Sequence, residues 1–249
     1  MNRRGGAGGV CRPARYPFRD ARAKPEAMRR AVLASVLALG APIDVQTASP
    51  KPESTEPGLT ITLRVYNFAH IATELLSRSE KQATAIFRQA GVKAIWVDCP
   101  SSPADSDKFP PCHQPLGPAD LVLKIRSTAM TPKDTHGDIL GSALLCLRDE
   151  VGCSAEIFYQ RAADWAVRAR IPGYQLIGHA MAHEIGHLLL GLKAHSQTET
   201  MRANWDREDL RRARLDLLHF TDQEAEIIRA KVLDKADCPN FENSRVPGG

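Results

Sequence analysis

The sequence predicts a sheet domain of the α+β or α/β class over residues 60–249. Short segments in its first half alternate apolar and polar residues, and one segment of helical period lies among them. A long apolar segment follows Pro172-Gly173, and a charged segment with a capping sequence lies near the C-terminus. Strands first and helices afterwards, without an internal repeat, predict one domain with a small helical C-terminal part.

The predicted strands share a period of two or a short apolar run between turn residues. In Thr60–Phe68 the apolar side chains of Ile61, Leu63 and Val65 alternate with polar ones, so one face of this strand is expected to be buried. The other predicted strands are residues 92–98, Leu121–Ile125, Gly141–Arg148 and Ala155–Tyr159, the last two joined by a turn at Asp149–Ser154.

The predicted helices have apolar residues three and four positions apart, or are apolar throughout. Residues 70–90 form one such segment, which Gly91 ends. Tyr174–Gly191 is almost wholly apolar and predicts a buried helix, with Gly191 as the residue just past its end. Residues 206–209 read as the start of a solvated helix, with Trp205 packed behind it. Residues 221–224, Thr-Asp-Gln-Glu, form a capping box that predicts a final helix to about residue 235.

The chain before the domain has the composition of an export signal. Residues 1–27 are rich in Gly, Arg and Pro, which predicts disorder. Met28-Arg29-Arg30, a short apolar run and a small-residue segment then follow, as in a signal peptide that starts at Met28. We therefore expect residues 1–48 to be an extension plus signal peptide, residues 49–59 to be a linker, and the mature protein to be secreted or periplasmic.

The positive charge of the chain belongs to this leader. The formal net charge is +4, but residues 1–30 hold 9 basic and 2 acidic side chains, and residues 31–249 hold 24 basic and 27 acidic ones. This balance argues against nucleic-acid binding, and the arginines at 207, 211, 212 and 214 are interleaved with acidic residues as on a solvated helix face. No apolar run is long enough to span a bilayer, so no stable membrane insertion is expected after signal cleavage.

The cysteine pattern is compatible with an oxidising compartment. Cys99 and Cys112 flank one loop, and Cys146 and Cys153 flank a predicted hairpin, so each pair is spaced to close a local disulfide. Cys238 remains over, and the spacing alone does not decide the connectivity.

His183-Glu184-Ile185-Gly186-His187 is an HExxH motif within the long apolar helix. Residues four apart lie on one helical face, so both imidazoles can reach one zinc ion. Glu184 projects from a different angle and is suited to act as a general base on a zinc-bound water, whose pKa zinc lowers to about 7. These residues predict zinc-dependent hydrolysis, in which the water attacks a carbonyl carbon, the bond to the amine breaks, and Glu184 passes the water's proton to the leaving amine.

A third zinc ligand must come from outside this motif. His179 lies one turn earlier, but a stripe of positions four apart drifts by about 40° per step around a helix. We therefore predict that His179 is a core residue or an outer partner rather than a ligand. His195 follows Gly191 by four residues, and a chain that turns at the glycine can bring it back beneath the metal.

At this point the sequence resembles the metzincin metallopeptidases, most nearly the matrixin-like ones. Their HExxHxxGxxH pattern and methionine turn are matched by His183, Glu184, His187, Gly191, His195 and Met201, with the glycine one residue late and the last histidine two residues late. The resemblance covers residues 60–205 and is specific over 183–201. It implies an α+β fold with a twisted mixed sheet, zinc as cofactor, and Met201 as an apolar floor beneath the metal.

The same resemblance extends to the strands before the helix. Residues 138–143 look like the lead into the metzincin edge strand, which binds an extended peptide substrate, and residues 155–159 would form the adjacent strand. The resemblance therefore implies a peptide or protein substrate held by main-chain hydrogen bonds, a mode that makes physical sense at an exposed sheet edge.

Several assignments stay open at this stage. A carboxylate from Glu199, Asp206 or Glu208 is the alternative third ligand, because His/His/Glu sites also occur in zinc hydrolases. The candidates for a transition-state stabiliser are Tyr159, Tyr174 and Asn204, which are chosen by residue type alone.

Together these observations predict a secreted or periplasmic zinc endopeptidase. The alternatives are a metzincin-like zinc-binding module without catalytic activity, which the longer spacing before His195 suggests, and a His/His/carboxylate zinc hydrolase. The oligomeric state does not follow from the sequence.

Overall fold

The computed structural model describes residues 58–102, 109–131, 139–144, 154–191 and 193–236. The predicted leader, signal peptide and most of the linker lie outside the described residues, as do Cys146, Cys153, Cys238 and the end of the predicted strand after Leu144. Within the described part, none of the helices is both long and apolar enough to span a bilayer.

A mixed sheet forms the centre of the domain. Its strands are β1 (Thr60–Asn67), β2 (Lys93–Cys99), β3 (Asp120–Arg126), β4 (Gly141–Leu144) and β5 (Ser154–Phe158), in the spatial order β2-β1-β3-β5-β4. The first four strands in that order pair in parallel, with Leu63 opposite both Trp96 and Leu121. β4 pairs antiparallel with β5 and is the end strand of the described sheet. The predicted α+β class and mixed sheet are confirmed.

The helices cover the sheet and carry the C-terminal part of the domain. They are α1 (Thr73–Gln89), α2 (Pro110–His113), α3 (Tyr159–Ala169), α4 (Gly173–Leu190), α5 (Arg207–Arg214) and α6 (Asp222–Ala236). The long apolar helix, the helix after Asp206 and the final capped helix are confirmed as predicted. Asp206 accepts hydrogen bonds from the backbone N–H groups of Glu208 and Asp209, which caps α5.

Two α-helices were not predicted: the short α2, which lies between the predicted strands 92–98 and Leu121–Ile125, and α3. The strand prediction Ala155–Tyr159 ends one residue early in the structure, and Tyr159 begins α3 instead. No side chain caps the start of this helix, and its buried residues are the two alanines Ala162 and Ala166. A helix that starts without a capping residue and buries only small side chains leaves neither of the usual signals in the sequence.

The main core lies between the sheet and the helices α1 and α4. Alternate residues of β1 and β3 point into it, which confirms the predicted period of two, and Ile61, Leu63 and Leu123 are fully buried. α4 is buried on nearly all sides, because the sheet, α1 and α6 all pack against it. A helix surrounded in this way has little freedom to shift, so it can hold side chains in fixed positions.

The predicted disulfide between Cys99 and Cys112 is present, with a Cα–Cα distance of 5.8 Å. It connects the end of β2 to α2. The backbone carbonyls of Gln114 and Pro115, which follow α2, accept hydrogen bonds from Arg64 of β1. Helix α2 and the residues just after it are therefore held to the sheet both covalently and by a buried guanidinium.

The raised pKa of the buried Glu80 carboxyl makes the stability of the fold depend on pH. This α1 carboxyl is 8% exposed, and burial followed by the nearby charge of Asp98 raises its pKa from 4.5 to about 8. Below pH 4.5 the folded and unfolded chains both keep this proton. As the pH rises towards 8, the unfolded chain ionises while the folded chain does not, so the free energy of unfolding falls.

Glu80→Gln is therefore expected to raise the free energy of unfolding near pH 8 and to leave it nearly unchanged near pH 4.5. Urea denaturation at the two pH values measures this difference. Glu74→Gln, an exposed change on the same helix, is the control and should show no such pH-dependent gain. A stabilisation by Glu80→Gln that is equal at both pH values would contradict the assignment.

Candidate metal centre

Two imidazoles meet on one face of α4. His183 and His187 lie four positions apart on this helix, and their Nε2 atoms are 3.2 Å from each other. Because the helix is packed on nearly all sides, the two rings project from a backbone that cannot easily move. The spacing that predicted this arrangement thus brings both side chains to one point.

The turn at Gly191 brings a third imidazole to the same point. Gly191 ends α4 with φ at 109°, and its N–H donates to the carbonyl of His187 over 2.9 Å. A Cβ at Gly191 would meet no atom within 4 Å, so the backbone angle and not the available space requires glycine here. The chain then returns, and His195 Nε2 lies 3.1 Å from His187 Nε2.

The hydrogen bonds of these rings leave their Nε2 lone pairs free. His183 Nδ1 lies 2.7 Å from the carbonyl oxygen of Thr200, and His187 Nδ1 lies 3.2 Å from that of Gly191. A carbonyl only accepts, so each Nδ1 must carry the proton and donate it. Burial also lowers the pKa of His183 to about 4 and lowers that of His187, which keeps both rings neutral near pH 7.

This donor set fits a metal ion. One ring nitrogen from each of the three histidines lies within 4.8 Å of the other two. Zinc bound tetrahedrally at 2.0–2.1 Å would separate its nitrogen ligands by about 3.3 Å. The measured separations of 3.1 and 3.2 Å are close to that value. A cation accounts for the convergence of these imidazoles, because His183 and His187 carry their protons on Nδ1 and have none to place between their Nε2 atoms.

Glu184 lies in the same cavity but outside the histidine cluster. Its side chain passes β4, where a Cβ at Gly141 would lie 2.6 Å from Glu184 Cγ. Only a glycine at that position allows the carboxyl to lie against the edge strand. The residue is 8% exposed, and burial raises the pKa of its carboxyl to about 8.

Met201 packs beneath the metal-binding helix. It is fully buried, and its Sδ lies 2.6 Å from the position that a Cβ on Gly186 would take. The N–H of Ser196 donates to the carbonyl of Met201 over 3.0 Å, which closes a tight loop around the end of the helix. Met201 therefore supports the backbone that carries the histidines.

His179 does not join the cluster. Its ring is completely buried, its Nε2 lies 3.2 Å from the carbonyl of Ala213, and its ring contacts Trp205 edge to face. It is thus a core residue that connects α4 to α5, as the helical drift of its position predicts.

The alternative carboxylate ligands are engaged elsewhere. Glu199 accepts hydrogen bonds of 2.7 and 2.9 Å from Arg212, and Glu208 pairs with Arg211. Asp206 caps α5. None of the three joins the cluster of His183, His187 and His195, so the described structure does not assemble a His/His/carboxylate site.

A cavity of about 500 Å³ opens in front of the cluster. Its walls are the residues 139–143 of the edge strand on one side and the residues 202–205 that follow Met201 on the other. Among the three residues nominated as stabilisers, Asn204 lines it and Tyr159 and Tyr174 do not. Tyr174 instead lies under the guanidinium of Arg78 at 3.8 Å.

Two tryptophans form the apolar end of this cavity. Trp165 of α3 stacks on Trp205, with ring centroids 6.4 Å apart. The sequence did not indicate this pair, because α3 was not predicted and the two residues lie far apart in the chain. An aromatic wall beside the cluster suits a large apolar group of a ligand.

An ion pair supports the carbonyl that orients His183. Thr200 supplies that carbonyl, and its neighbour Glu199 has φ at 68°. Arg212 holds the Glu199 carboxylate, and the N–H of Thr200 donates to the carbonyl of His219 over 2.8 Å. This strained turn is therefore fixed from behind by α5 and the chain that follows it.

Arg212→Met is expected to weaken metal binding by up to about tenfold, the lower end of the loss seen when a direct outer partner is removed, because Arg212 acts on the Thr200 carbonyl only through Glu199. A competition titration against a zinc chelator measures the affinity. Arg211→Met removes a neighbouring ion pair on the solvent side and should leave the affinity unchanged. Equal zinc affinity in both variants would show that the Glu199–Arg212 pair has no influence on His183.

Comparison with known proteins identifies no family for the chain. No family model matches it, and no curated protein matches it. Among the solved structures that are similar to it, two share 14% identity with it: the archaemetzincin of Methanopyrus kandleri, with a TM-score of 0.42 over 72% of this chain and 99% of that one, and metalloproteinase-II of Bacteroides fragilis, with a TM-score of 0.41 over 73% and 55%. The assignment of function therefore depends on the geometry of the chain itself.

Proposed function

We propose that the chain is a zinc-dependent metallopeptidase. More specifically, we propose a metzincin-like endopeptidase that is secreted or periplasmic. The observation that carries the proposal is the convergence of three imidazole nitrogens, from His183, His187 and His195, in a cavity that also holds the buried carboxyl of Glu184. A zinc site with three protein ligands and a nearby carboxylate is the usual arrangement of a hydrolase.

Zinc and Glu184 would have different roles in the reaction. When bound, zinc supplies a strong Lewis acid that makes water reactive at neutral pH. Glu184 would accept a proton from the attacking water and deliver it to the leaving amine. A nearby divalent cation also favours the ionised carboxylate, which offsets the effect of burial on the pKa of Glu184.

The edge strand and the tryptophans would hold the substrate. β4 is the last strand of the described sheet and lines the cavity beside Glu184, so an extended peptide can add to it by main-chain hydrogen bonds. Trp165 and Trp205 would then receive an apolar side chain next to the scissile bond.

Two features support export. The leader has the order of a signal peptide, and the disulfide Cys99–Cys112 is of the kind that persists in oxidising compartments. A signal-peptidase product that begins between residues 40 and 48, found by N-terminal sequencing of the protein from its host's secreted or periplasmic fraction, would establish this part of the proposal.

The activity is tested on a chain that begins at residue 49. Metal analysis after purification should give near one zinc per chain, and the protein should cleave casein and apolar peptides. Removal of the metal with a chelator should stop cleavage, and added zinc should restore it. A protein that binds no zinc would refute the proposal, whereas zinc binding without cleavage of any peptide would favour the non-catalytic zinc-binding module.

A further inference from the structure

A second groove lies between the end of α3 and α5. It encloses about 670 Å³, its floor is formed by Ala169, Ile171 and Leu210, and no acidic residue lines it. Arginines form the rest of its wall: Arg168, Arg170, Arg207, Arg211 and Arg214. Five guanidinium groups around one apolar floor make a strongly positive concave surface on a domain whose overall charge is slightly negative.

Two of these arginines stand where the local backbone disfavours them. Arg170 has φ at 55°, a left-handed conformation that favours glycine or asparagine. Arg207 is the first residue of α5, where the helix dipole favours an acidic side chain. At the end of α3 the helix dipole favours the charge of Arg170, but at the start of α5 it opposes that of Arg207, so α5 does not account for the charge of Arg207.

The acidic residues nearby do not neutralise the groove. Asp206 and Asp209 bind Arg202, and Glu208 binds Arg211. Within the described residues, no ion pair involves Arg168, Arg170, Arg207 or Arg214, and all four are exposed. Four guanidinium groups without an ion-pair partner among the described residues thus line one groove. A bound anion would reduce the repulsion between them.

The groove is next to the candidate active-site cavity. Its floor residues Ile171 and Leu210 belong to a small apolar core that also contains Trp165 and Trp205, the tryptophans of the cavity wall. Arg168 follows Trp165 by three positions, so the two are neighbours on α3. An extended chain advances roughly 3.3 Å per residue, so a substrate that leaves the cavity past the tryptophans continues towards the groove.

We propose that this groove binds an acidic segment of the protein substrate, a few residues from the bond that is cut. The inference rests on the proposed peptidase function and adds a substrate class to it. The apolar floor suits side chains of a peptide better than a sugar-phosphate backbone. The excess of acidic residues over basic ones after residue 30 also disfavours long polyanions, which would extend beyond the groove.

Binding is tested without catalysis. The full chain carrying Glu184→Gln is titrated with a fluorescent peptide that has an apolar residue and, four to eight residues away on either side, a run of six glutamates. Arg168→Glu/Arg207→Glu is expected to weaken binding at least about tenfold. The control Lys81→Glu/Arg88→Glu makes the same change of charge on exposed positions of α1 and should change the affinity less than about twofold.

A reversed-charge peptide separates recognition from loss of folding. A peptide with a lysine run should bind Arg168→Glu/Arg207→Glu more tightly than it binds the parent chain, which an unfolded variant would not do. Equal binding of the glutamate peptide by the groove variant and the parent would overturn the proposal. Duplex DNA or phosphatidylserine vesicles that displace the peptide and bind the groove more tightly would overturn it as well.

Cleavage distinguishes this inference from the proposed function. With active protein, the glutamate peptide should have a higher kcat/KM than its glutamine counterpart, and Arg168→Glu/Arg207→Glu should abolish the difference while preserving cleavage of the glutamine peptide. If no peptide is cleaved although the groove still binds acidic peptides, the peptidase proposal fails and the anion-binding groove remains. Cleavage that is indifferent to the acidic run refutes the groove's role instead.

Discussion

Glu184→Gln is expected to lower the rate of peptide cleavage by roughly 10²–10⁴-fold, the range that a positioned general base contributes. Glutamine keeps the size of the side chain and its place against Gly141, but its amide cannot accept and return a proton. Zinc content should remain near one per chain, because Glu184 is not among the three converging histidines. Single-turnover cleavage and metal analysis of the same sample measure the two quantities together.

The control for this variant is Glu80→Gln. Both carboxyls are 8% exposed and both have a pKa raised to about 8, so the two substitutions make the same chemical change in a similarly buried place. Glu80 lies on α1 and does not line the cavity, so its replacement should leave cleavage intact. Comparable cleavage by the Glu184→Gln protein and the parent would remove Glu184 from the reaction.

The parts of the fold that were predicted are those whose signal is local. The alternation in β1 and β3 follows from one buried face. A long, mostly apolar segment that ends at a glycine predicts α4. α3 has no such signal, because a strand passes into it without a capping residue and two alanines form its buried face. Because α3 was not predicted, the position of Trp165 could not be predicted either, nor could the aromatic wall that it forms with Trp205.

At the candidate metal centre, too, only the features with a local sequence signal could be predicted. The HExxH spacing was sufficient to predict that His183 and His187 meet, since i and i+4 share a helical face. Whether the later His195 reaches them depends on the direction of the chain after Gly191, which is a matter of one backbone angle. The support from Arg212 through Glu199 to Thr200 joins residues of separate elements, and nothing in their local sequence indicates it.

The third ligand is the position where the sequence left a choice, and His195→Ala tests it directly. The variant is expected to lower zinc affinity by more than the roughly 10–100-fold that loss of an outer partner causes, because only two protein ligands would remain. Cleavage at low free zinc should be lost with the metal.

Because His195 is exposed, its replacement should change zinc binding without unfolding the chain. Its side chain lies on the surface of a turn, so its truncation should change the stability of the metal-free chain by no more than about 0.5 kcal/mol. His113→Ala removes another exposed histidine, one that does not line the cavity, and should leave zinc affinity unchanged. Retention of zinc by His195→Ala, together with its loss in Glu199→Ala, Asp206→Ala or Glu208→Ala, would instead assign the third ligand to a carboxylate. Because zinc would then have to draw that carboxylate out of its ion pair or helix cap, such a result would also require the segment from Glu199 to Glu208 to rearrange when the metal binds.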